Sequence, residues 1–321
     1  MNKSYQIVTK YISILLTLSV LYACQHDDIS NPRINQYQAL TQQSKNIESF
    51  LYFTDPHIST YDKLFYNYLD SIYYYYANTS TQFCICGGDW LNNMDTQIEA
   101  ETKLKKIDEV TKELFGSSYF MILGNHDTNY QGRLDENSEI NTGQFSQEKI
   151  VDILFEKQGN SFYTFDSSES KYIVLDTGID WYSLINEYRQ SQIDWFINEL
   201  ICNNKKHIII LIHIYTNDLV IPQPFAMELI NISESFNNKV CNSKYDFSKS
   251  IGTIACFICG HSHVDFVDTN NSIPIIGMSH LKDQGVPTFD LCMINWDNNT
   301  FNTIRIGAGE DRSINLAPSL K

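Results

Sequence analysis

The chain has 321 residues, of which 43% are hydrophobic and 13% aromatic, and this is enough apolar material for the core of one sizeable domain. With 23 basic and 38 acidic residues, its formal net charge is −15. Because nonspecific binding to nucleic acid depends on Lys and Arg displacing counterions from phosphates, this balance argues against a general nucleic-acid-binding role. The acidic surplus otherwise indicates a solvated surface and identifies neither a partner nor an oligomeric state.

The N-terminal residues have the pattern of an export signal. Two lysines precede an apolar stretch over residues 11–23, which ends in a small residue directly before Cys24. The stretch is shorter than the about 20 residues that a transmembrane helix needs, so residues 1–23 resemble a cleaved bacterial lipoprotein signal, with Cys24 as the lipidated first residue. An uncleaved anchor or a buried helix is the alternative, because Tyr22 is larger than the residue usually found there.

The residues after Cys24 predict a tether at a membrane surface. The acidic stretch over residues 25–28 resembles the tag that sends lipoproteins to the cell surface in some Gram-negative bacteria. Residues 24–46 are polar without a clear period, which is typical of a tether. We therefore expect an exported lipoprotein of the outer membrane or cell surface, or one facing the periplasm, with one folded domain over residues 47–321.

From residue 47 onward, short apolar runs alternate with longer helical patterns. The apolar runs predict buried strands over residues 50–54, 83–86, 120–123, 172–175, 208–212 and 254–258. The helical patterns predict helices over residues 63–76, 96–115, 147–155 and 191–202, the last opened by a capping box of Ser191 and Asp194. This alternation is typical of βαβ units. Beyond residue 263, apolar runs over residues 264–267, 273–276, 289–295 and 301–306 predict a second, largely antiparallel sheet.

Two clusters of unusual residues have ordinary structural interpretations. Seven cysteines besides Cys24 are an odd number, so at least one is unpaired, and most lie in apolar runs as buried small hydrophobes do. The pairs at 84/86 and 256/259 leave a zinc site of four thiolates as the alternative. Four tyrosines over residues 73–76 are interpreted as a helix face packed on the sheet, with an aromatic membrane belt as the alternative.

Polar motifs stand at the carboxyl ends of several predicted strands. They are Asp55-Pro56-His57, Gly87-Gly88-Asp89, Gly124-Asn125-His126-Asp127, Gly260-His261-Ser262-His263 and the single residue His213. Open α/β sheets gather their ligands in loops outside the carboxyl ends of strands, so we expect these five segments to meet in one cleft. Carboxylates, imidazoles and one amide oxygen, without a thiolate, form a donor set that suits Zn, Mn or Fe.

These motifs, in this order, resemble the calcineurin-like metallophosphoesterase family over residues 50–267. The resemblance implies a four-layer α/β/β/α sandwich of two mixed β-sheets flanked by helices. It also implies two divalent or trivalent metal ions, one held by Asp55, His57 and His263, the other by Asn125, His213 and His261, with Asp89 between them. Two ions about 4 Å apart clamp phosphoryl oxygens and activate a shared water for attack.

The resemblance makes His126 a catalytic histidine that stabilises or protonates the leaving oxygen, with Asp127 orienting it. A carboxylate beside an imidazole fixes the tautomer and raises the pKa of the ring, as an acid needs. The alternative is that His126 only hydrogen-bonds to residues of the site and does not act on the substrate. Arg133 is a candidate contact of the substrate phosphate and His280 a candidate residue of the cleft wall, with an exposed Arg and a core His as the plainer interpretations.

Some features depart from close relatives. Trp90 follows Asp89, where purple acid phosphatases carry a tyrosine that binds iron, which argues against that subgroup. His213 is followed by Ile214-Tyr215 rather than by His-Pro, so its assignment depends on the strand before it. Trp181 and Tyr215 follow strand ends and are candidates to stack on a base or sugar, although packing is the simpler interpretation.

The sequence therefore predicts metal-dependent hydrolysis of a phosphomonoester or phosphodiester outside the cytoplasm. The substrate is expected to be a small phosphate ester, a nucleotide or a lipid, and the membrane contact to run through the N-terminal lipid. One alternative is a binding module that keeps the fold without catalysis. The other is a binuclear hydrolase of peptide or amide bonds, but no His-Glu-X-X-His motif supports it.

Overall fold

The computed structural model describes residues 31–58, 63–92, 95–129, 145–178, 186–217, 221–282 and 285–318. Within them, helices α1 to α6 span Pro32–Thr41, Lys63–Asn78, Gln97–Phe115, Gln147–Leu154, Asn186–Ile201 and Pro224–Asn237. Strands β1 to β14 span Ile47–Phe53, Phe83–Cys86, Tyr119–Met121, Tyr163–Asp166, Ser170–Val174, His207–Leu211, Thr216–Asn217, Ile221–Pro222, Thr253–Cys259, Phe266–Asp268, Ile275–Gly277, Phe289–Asn295, Thr300–Ile306 and Arg312–Asn315. The predicted signal and Cys24 lie outside the described residues.

Two six-stranded mixed sheets form the centre of the molecule. The first has the order β14-β13-β12-β1-β2-β3, with β1 to β3 parallel and β12 to β14 antiparallel. The second has the order β10-β11-β9-β6-β5-β4, with four parallel strands between antiparallel edges. A short hairpin of β7 and β8 stands apart. The predicted sandwich of two mixed sheets flanked by helices is confirmed.

Side chains alternate along the strands and divide the core into two layers. Between the sheets, the rings of Phe50 and Phe83 stack with centres 5.4 Å apart, and Tyr172 of β5 packs edge-on against both. Ile173, the next residue of β5, belongs to a second apolar cluster that includes Phe196 of α5. Helices α5 and α6 thus cover the second sheet, while α2 and α3 add to the cluster of the first.

The late strands do not form a sheet of their own, and this part of the prediction is wrong. β12 pairs antiparallel with β1, from Ile47 opposite Asn295 to Tyr52 opposite Asp290, and brings β13 and β14 into the first sheet. β10 and β11 join the second sheet beside β9. An apolar run indicates that a strand is buried, but it does not specify which neighbouring edge the strand joins.

Some helix boundaries also differ from the prediction. α5 begins at Asn186, so Ser191 lies inside it, where its hydroxyl donates to the Tyr188 carbonyl instead of capping the helix. A capping box opens α3 instead, with reciprocal hydrogen bonds between Thr96 and Glu99. The structure also contains elements that the sequence patterns do not predict, among them α1, α6, β4 and β14.

Helix α1 packs on the domain, where the sequence predicts a tether. Ile34 and Tyr37 lie one helical turn apart and both are buried. The Tyr37 hydroxyl donates to Ser49 Oγ of β1 at 2.8 Å. Residues 32–41 therefore form a packed helix rather than the predicted tether, because Ile34 and Tyr37 are buried and Leu40 packs partly buried against the core.

Most of the described cysteines are buried, as the sequence predicts for small hydrophobic residues. Burial raises the pKa of five cysteine thiols, those of Cys84, Cys86, Cys256, Cys259 and Cys292. Cys202 and Cys241 are exposed instead. Among the described residues, the side-chain groups close enough to hold a metal ion include no cysteine, which argues against the four-thiolate site.

The tyrosines of α2 form contacts with neighbouring elements. Tyr73 and Tyr76 place their rings against Phe115 of α3, and Tyr75 contacts Phe289 of β12. This agrees with a helix face packed on the domain. In the described part of the chain, no helix has both the length and the apolar character needed to span a bilayer.

The attachment of α1 predicts a measurable contribution to stability. Tyr37→Ala removes a fully buried ring and should lower the free energy of unfolding by about 3–5 kcal/mol in urea denaturation. Gln38→Ala, an exposed change on the same helix, is the control and should have almost no effect. Equal unfolding midpoints for both variants would mean that α1 does not belong to the folded domain.

Candidate metal centre

The candidate site lies at the edge where strands of both sheets end. Backbone pairing of β1 with β2 continues beyond the strands, with Asp55 N donating to the Gly88 carbonyl at 3.0 Å. In the second sheet, Gly260 N donates to the His213 carbonyl at 3.2 Å. The loops that carry the predicted side chains are therefore held by the sheet hydrogen bonds, and five separate segments meet in one cleft as expected.

Five of the predicted ligands have left-handed backbone conformations. Their φ angles lie between 44° and 66°, at Asp55, His57, Asp89, His261 and His263. Asp and His occur in this region more often than most residues, but each such position is strained by about 1–3 kcal/mol. Surrounding contacts must therefore hold these loops, and strain of this kind concentrates at functional sites.

Two motif glycines allow the loops to approach one another closely. A Cβ on Gly124 would lie 2.1 Å from Asp89 Oδ1, and a Cβ on Gly260 would lie 2.1 Å from Thr54 Oγ1. No real side chain makes contacts this short, so these positions require glycine. These two glycines are thus needed because they leave room for the Asp89 and Asp55 loops, and not only because they form turns.

Each of the two buried carboxylates uses one oxygen for hydrogen bonds and directs the other into the cleft. Asp55 Oδ2 accepts hydrogen bonds from Thr54 Oγ1 at 2.6 Å and from His261 N at 3.0 Å. Asp89 Oδ1 accepts one from His126 N at 2.8 Å. The remaining oxygens, Asp55 Oδ1 and Asp89 Oδ2, are thereby fixed in orientation towards the imidazoles.

Backbone carbonyls set the orientation of two imidazoles. His213 Nδ1 lies 2.7 Å from the Gly87 carbonyl oxygen, and His57 Nδ1 lies 3.0 Å from that of Leu91. Because a carbonyl only accepts, each Nδ1 carries a proton and Nε2 faces the cleft. A hydrogen bond of this kind to the far nitrogen is typical of histidines that bind metals.

The donor atoms form two separate groups, of which the second includes Asp89. Within each group the donor atoms lie within 4.8 Å of one another. We call Asp55, His57 and His263 the first half-site, and His213 and His261, grouped with Asp89, the second half-site. Asn125 joins the second, because its Oδ1 lies 3.0 Å from His261 Nδ1. A third combination of His57, Asp89 and His126 meets the same criterion.

Three atoms at the centre of this arrangement fit a metal site. Asp55 Oδ1, Asp89 Oδ2 and His213 Nε2 are buried and face other donors of the cluster: Asp89 Oδ2 lies 3.1 Å from His213 Nε2, and Asp55 Oδ1 lies 3.3 Å from His263 Nε2. Buried polar atoms are normally satisfied, and leaving one unsatisfied costs about 1–3 kcal/mol. Oxygen and imidazole nitrogen donors that converge on one point in this way are what a bound divalent metal ion requires.

The charges around His213 favour a cation at the same point. Burial alone would lower the pKa of His213, but the carboxylates of Asp89, 3.1 Å from Nε2, and Asp55 outweigh it and raise that pKa to about 10. Burial would raise the pKa of Asp89, yet His213 beside it lowers that pKa below its usual range. The pair of carboxylates therefore attracts positive charge, which a proton or a metal ion can supply.

Asp127 does not orient His126, and the predicted pairing of the two is wrong for the described contacts. The Asp127 carboxylate is fully buried and accepts backbone hydrogen bonds at 2.7–3.3 Å from Asp89, Trp90, Leu91 and Gly124. His126 Nδ1 has no hydrogen-bond partner among the described residues. Asp127 thus ties the Asp89 loop to the Gly124 loop.

His126 itself lies where the sequence places it, at the rim of the cleft. Its Nε2 is 3.9 Å from Asp89 Oδ2, and its ring packs edge-on against His57 with centres 4.7 Å apart. The side chain is 29% exposed, against 1% for Asp89. His126 therefore both touches the centre of the cluster and reaches solvent.

The other predicted contacts have mixed outcomes. His280 lies beside the cleft, with its ring parallel to His263 and ring centres 4.8 Å apart. Tyr215 is buried, stacks on Phe266 and donates its hydroxyl to Asp268, which agrees with packing rather than substrate stacking. Arg133 and Trp181 lie outside the described residues.

Sequence patterns do not identify the residues that support His213. Ile214 N donates to Thr177 Oγ1 at 2.8 Å, and the Gln223 side chain donates to the Thr177 carbonyl at 2.8 Å. Both supporting side chains are fully buried polar groups. The only signal in the sequence is the position of Thr177 just after a strand, which fits many structural roles.

Comparison with known proteins places this geometry in a family. A family model of calcineurin-like phosphoesterases matches residues 49–265. A dimetal phosphatase from Danio rerio superposes with a TM-score of 0.59 at 12% identity, over 84% of this chain and 98% of that one. A purple acid phosphatase from yellow lupin seeds has a TM-score of 0.49 at 12% identity, over 85% of this chain and 54% of that one. No curated protein sequence matches the chain.

The contacts of Asp127 and His126 predict effects of different size on the stability of the metal-free protein. Asp127→Asn replaces a carboxylate oxygen by an amide that faces N–H groups, and should lower the free energy of unfolding by about 1–3 kcal/mol. His126→Ala removes a partly exposed ring and should change it by much less. Chemical denaturation after chelation measures both. A larger loss for His126→Ala would contradict the assigned contacts.

Proposed function

The chain belongs to the calcineurin-like phosphoesterase family, and on that premise we propose that it is a metal-dependent phosphoesterase with its active site in this cleft. The observation that carries the proposal is the convergence of the buried atoms Asp55 Oδ1, Asp89 Oδ2 and His213 Nε2 on one point of the cleft. Family membership supports the reaction class, and this convergence supports a metal requirement.

Two ions, of Mn, Zn or Fe, suit the donor set. The first half-site would hold one ion and the second half-site, with Asn125, the other, while Asp89 contributes to both. When bound, such a pair polarises phosphoryl oxygens and lowers the pKa of a water molecule so that it can attack. The residues of the chain position these donors before any substrate arrives.

Asp89 has the central role in this proposal. Its Oδ1 is held by the His126 backbone N–H, so the carboxylate cannot rotate freely. Its Oδ2 lies 3.1 Å from His213 Nε2 and 3.9 Å from His57 Nε2, which belong to different half-sites. One oxygen thus faces donors of both half-sites, which suits a carboxylate that sets the spacing of two ions.

His126 is proposed as the group that protonates the leaving oxygen. Its Nε2 reaches the centre and its side chain is partly exposed, so the ring can meet both substrate and solvent. Packing against His57 and the backbone hydrogen bond to Asp89 hold the residue in place. Asp127 contributes indirectly, because it fixes the two loops that carry Asp89 and His126.

The proposed substrate is a phosphomonoester or phosphodiester of a small molecule, such as a nucleotide or a lipid headgroup. Turnover of p-nitrophenyl phosphate and of its bis ester, with Mn, Zn or Fe added to chelator-treated protein, separates these classes. A protein that takes up no metal and turns over neither ester would instead fit a binding module with the same fold.

We further propose that the reaction takes place outside the cytoplasm, with the domain attached through lipid on Cys24. The support is the N-terminal sequence pattern of basic residues, apolar stretch and cysteine. Cys24→Ala should move the protein from the membrane fraction to the soluble fraction of cells, as judged by immunoblotting. Equal membrane retention of both forms would contradict lipid attachment at Cys24.

Two substitutions distinguish metal binding from proton transfer. Asp89→Ala should abolish nearly all turnover and lower the metal content, because donors of both half-sites lose their shared carboxylate. His126→Ala should keep both ions while kcat falls by about 10²–10⁴-fold. Metal content by mass spectrometry and initial rates measure these effects.

The control is Asp166→Ala, which removes an exposed carboxylate of β4, at the end of the second sheet opposite the cleft. It should match the wild type in metal content and rate. Wild-type turnover in Asp89→Ala would disprove the proposed site, and loss of both ions in His126→Ala would make His126 a ligand rather than an acid.

A further inference from the structure

We infer that residues 279–282 form a brace that positions the first half-site and so sets its metal affinity separately from that of the second, an inference that rests on the proposed two-ion function. These residues follow β11 and lie beside the cleft. Four consecutive residues contact the two loops that carry Asp55, His57 and His263. We call residues 279–282 the brace.

The first part of the brace holds the His263 loop. Ser279 N donates to Asp265 Oδ1 at 3.1 Å, and its hydroxyl donates to the His263 carbonyl at 3.3 Å. The His280 ring then lies parallel to that of His263, at 8° and 4.8 Å between centres. On another side, His263 contacts the His57 ring at 4.9 Å. The ligand ring is thus packed between two imidazoles.

The second part of the brace holds the Asp55 loop. Leu281 N donates to the Thr54 carbonyl at 2.8 Å, directly before Asp55. Lys282 Nζ donates to the His57 carbonyl at 2.8 Å. Both residues thus fix the backbone on either side of a Pro56 turn whose flanking residues have positive φ. These contacts hold the loop in a strained backbone conformation that it would not adopt without them.

The first half-site needs such support more than the second. The His263 side chain is 43% exposed and that of His57 18%, whereas His213 is fully buried. An exposed ring keeps more rotational freedom unless neighbouring groups restrict it, and freezing that freedom weakens metal binding. Packing by His280 supplies the restriction that burial supplies to His213.

Asp265 connects the brace to the rest of the fold. Its Oδ1 also accepts from Arg305 Nη2 at 2.7 Å, and Arg305 is a fully buried cation of β13 that pairs with Asp290. The His263 loop of the second sheet is thereby attached to the first sheet. The brace therefore rests on a fixed base rather than on a surface loop.

Different residues support the second half-site. His213 Nδ1 donates to the Gly87 carbonyl, and the next residue, Ile214, donates its N–H to Thr177 Oγ1. His261 and Asn125 contact each other at 3.0 Å. None of these contacts of the second half-site involves His280 or Lys282, which contact His263 and His57. A change in either residue should therefore weaken the first ion and spare the second.

The test measures metal affinity in single-site backgrounds, with Mn²⁺ as the probe and titration calorimetry as the readout. His261→Ala leaves the first half-site, and His263→Ala leaves the second. In the His261→Ala background, His280→Ala and Lys282→Met should each weaken binding of the remaining ion by about tenfold or more, as loss of an outer support typically does. In the His263→Ala background, Lys282→Met should leave the affinity within about twofold of its parent, and His280→Ala likewise.

Two further variants make the result specific. His280→Phe keeps a ring against His263 and should retain most of the affinity that His280→Ala loses. Lys205→Met is the matched control, because Lys205 also donates to backbone carbonyls, those of Ser167 and Ser168, far from the cleft. It should change neither ion. Thermal unfolding of each metal-free variant checks that the fold is kept.

The outcomes separate the brace from the proposed function. If the wild type binds two ions and turns over phosphate esters, but the brace variants bind both ions normally or weaken both equally, the brace is disproved and the function stands. If the wild type binds fewer than two ions, the two-ion function fails and the brace fails with it.

Discussion

Two carboxylates, Asp55 and Asp89, are buried beside one another, and each directs an oxygen into the cleft towards the imidazoles. Burying like charges together is unfavourable unless positive charge lies between them. The imidazoles around the cleft can supply this positive charge, and the carboxylates raise the pKa of His213 to about 10. The close approach of the two carboxylates also requires Gly124 and Gly260 in the neighbouring loops. It further requires the hydrogen-bond donors that hold Asp55 Oδ2 and Asp89 Oδ1, the oxygens that do not face the cleft.

The backbone provides the rigidity that such a cluster needs. Five left-handed residues carry strain of about 1–3 kcal/mol each, which isolated loops would relax. Pairing of β1 with β2 continues into their loops, and Asp127 ties two loops together through four backbone hydrogen bonds. The mixed sheets bring these loops to one edge. The sandwich thus serves the site by fixing backbone positions, while the side chains provide the chemistry.

Sequence patterns predict the site better than the topology. The motifs after strands identify Asp55, Asp89 and His213, because polar residues directly after buried strands meet at one edge of a sheet. The partner of β12 was not predictable, since apolar runs report burial and leave the pairing edge open. Helix α1 is missed because the apolar residues that attach it, Ile34, Tyr37 and Leu40, are few and stand among polar ones.

Roles that depend on hydrogen-bond direction are also hidden from the sequence. Asp127 follows His126 directly, which favours an interaction between them, but the tight turn points its carboxylate to backbone N–H groups of the Asp89 loop and of Gly124 in its own loop. Thr177 and the brace are likewise invisible, because a hydroxyl or a lysine in a loop fits many environments. Their roles become clear only when distant segments are placed side by side.

The most direct measurement is an anomalous-scattering map from crystals of the wild-type protein loaded with Mn²⁺. The account predicts two peaks about 3.5–4 Å apart, with the Asp89 carboxylate between them and the two half-sites on either side. A single peak, or two peaks of which Asp89 touches only one, would contradict the shared carboxylate on which the proposed reaction depends.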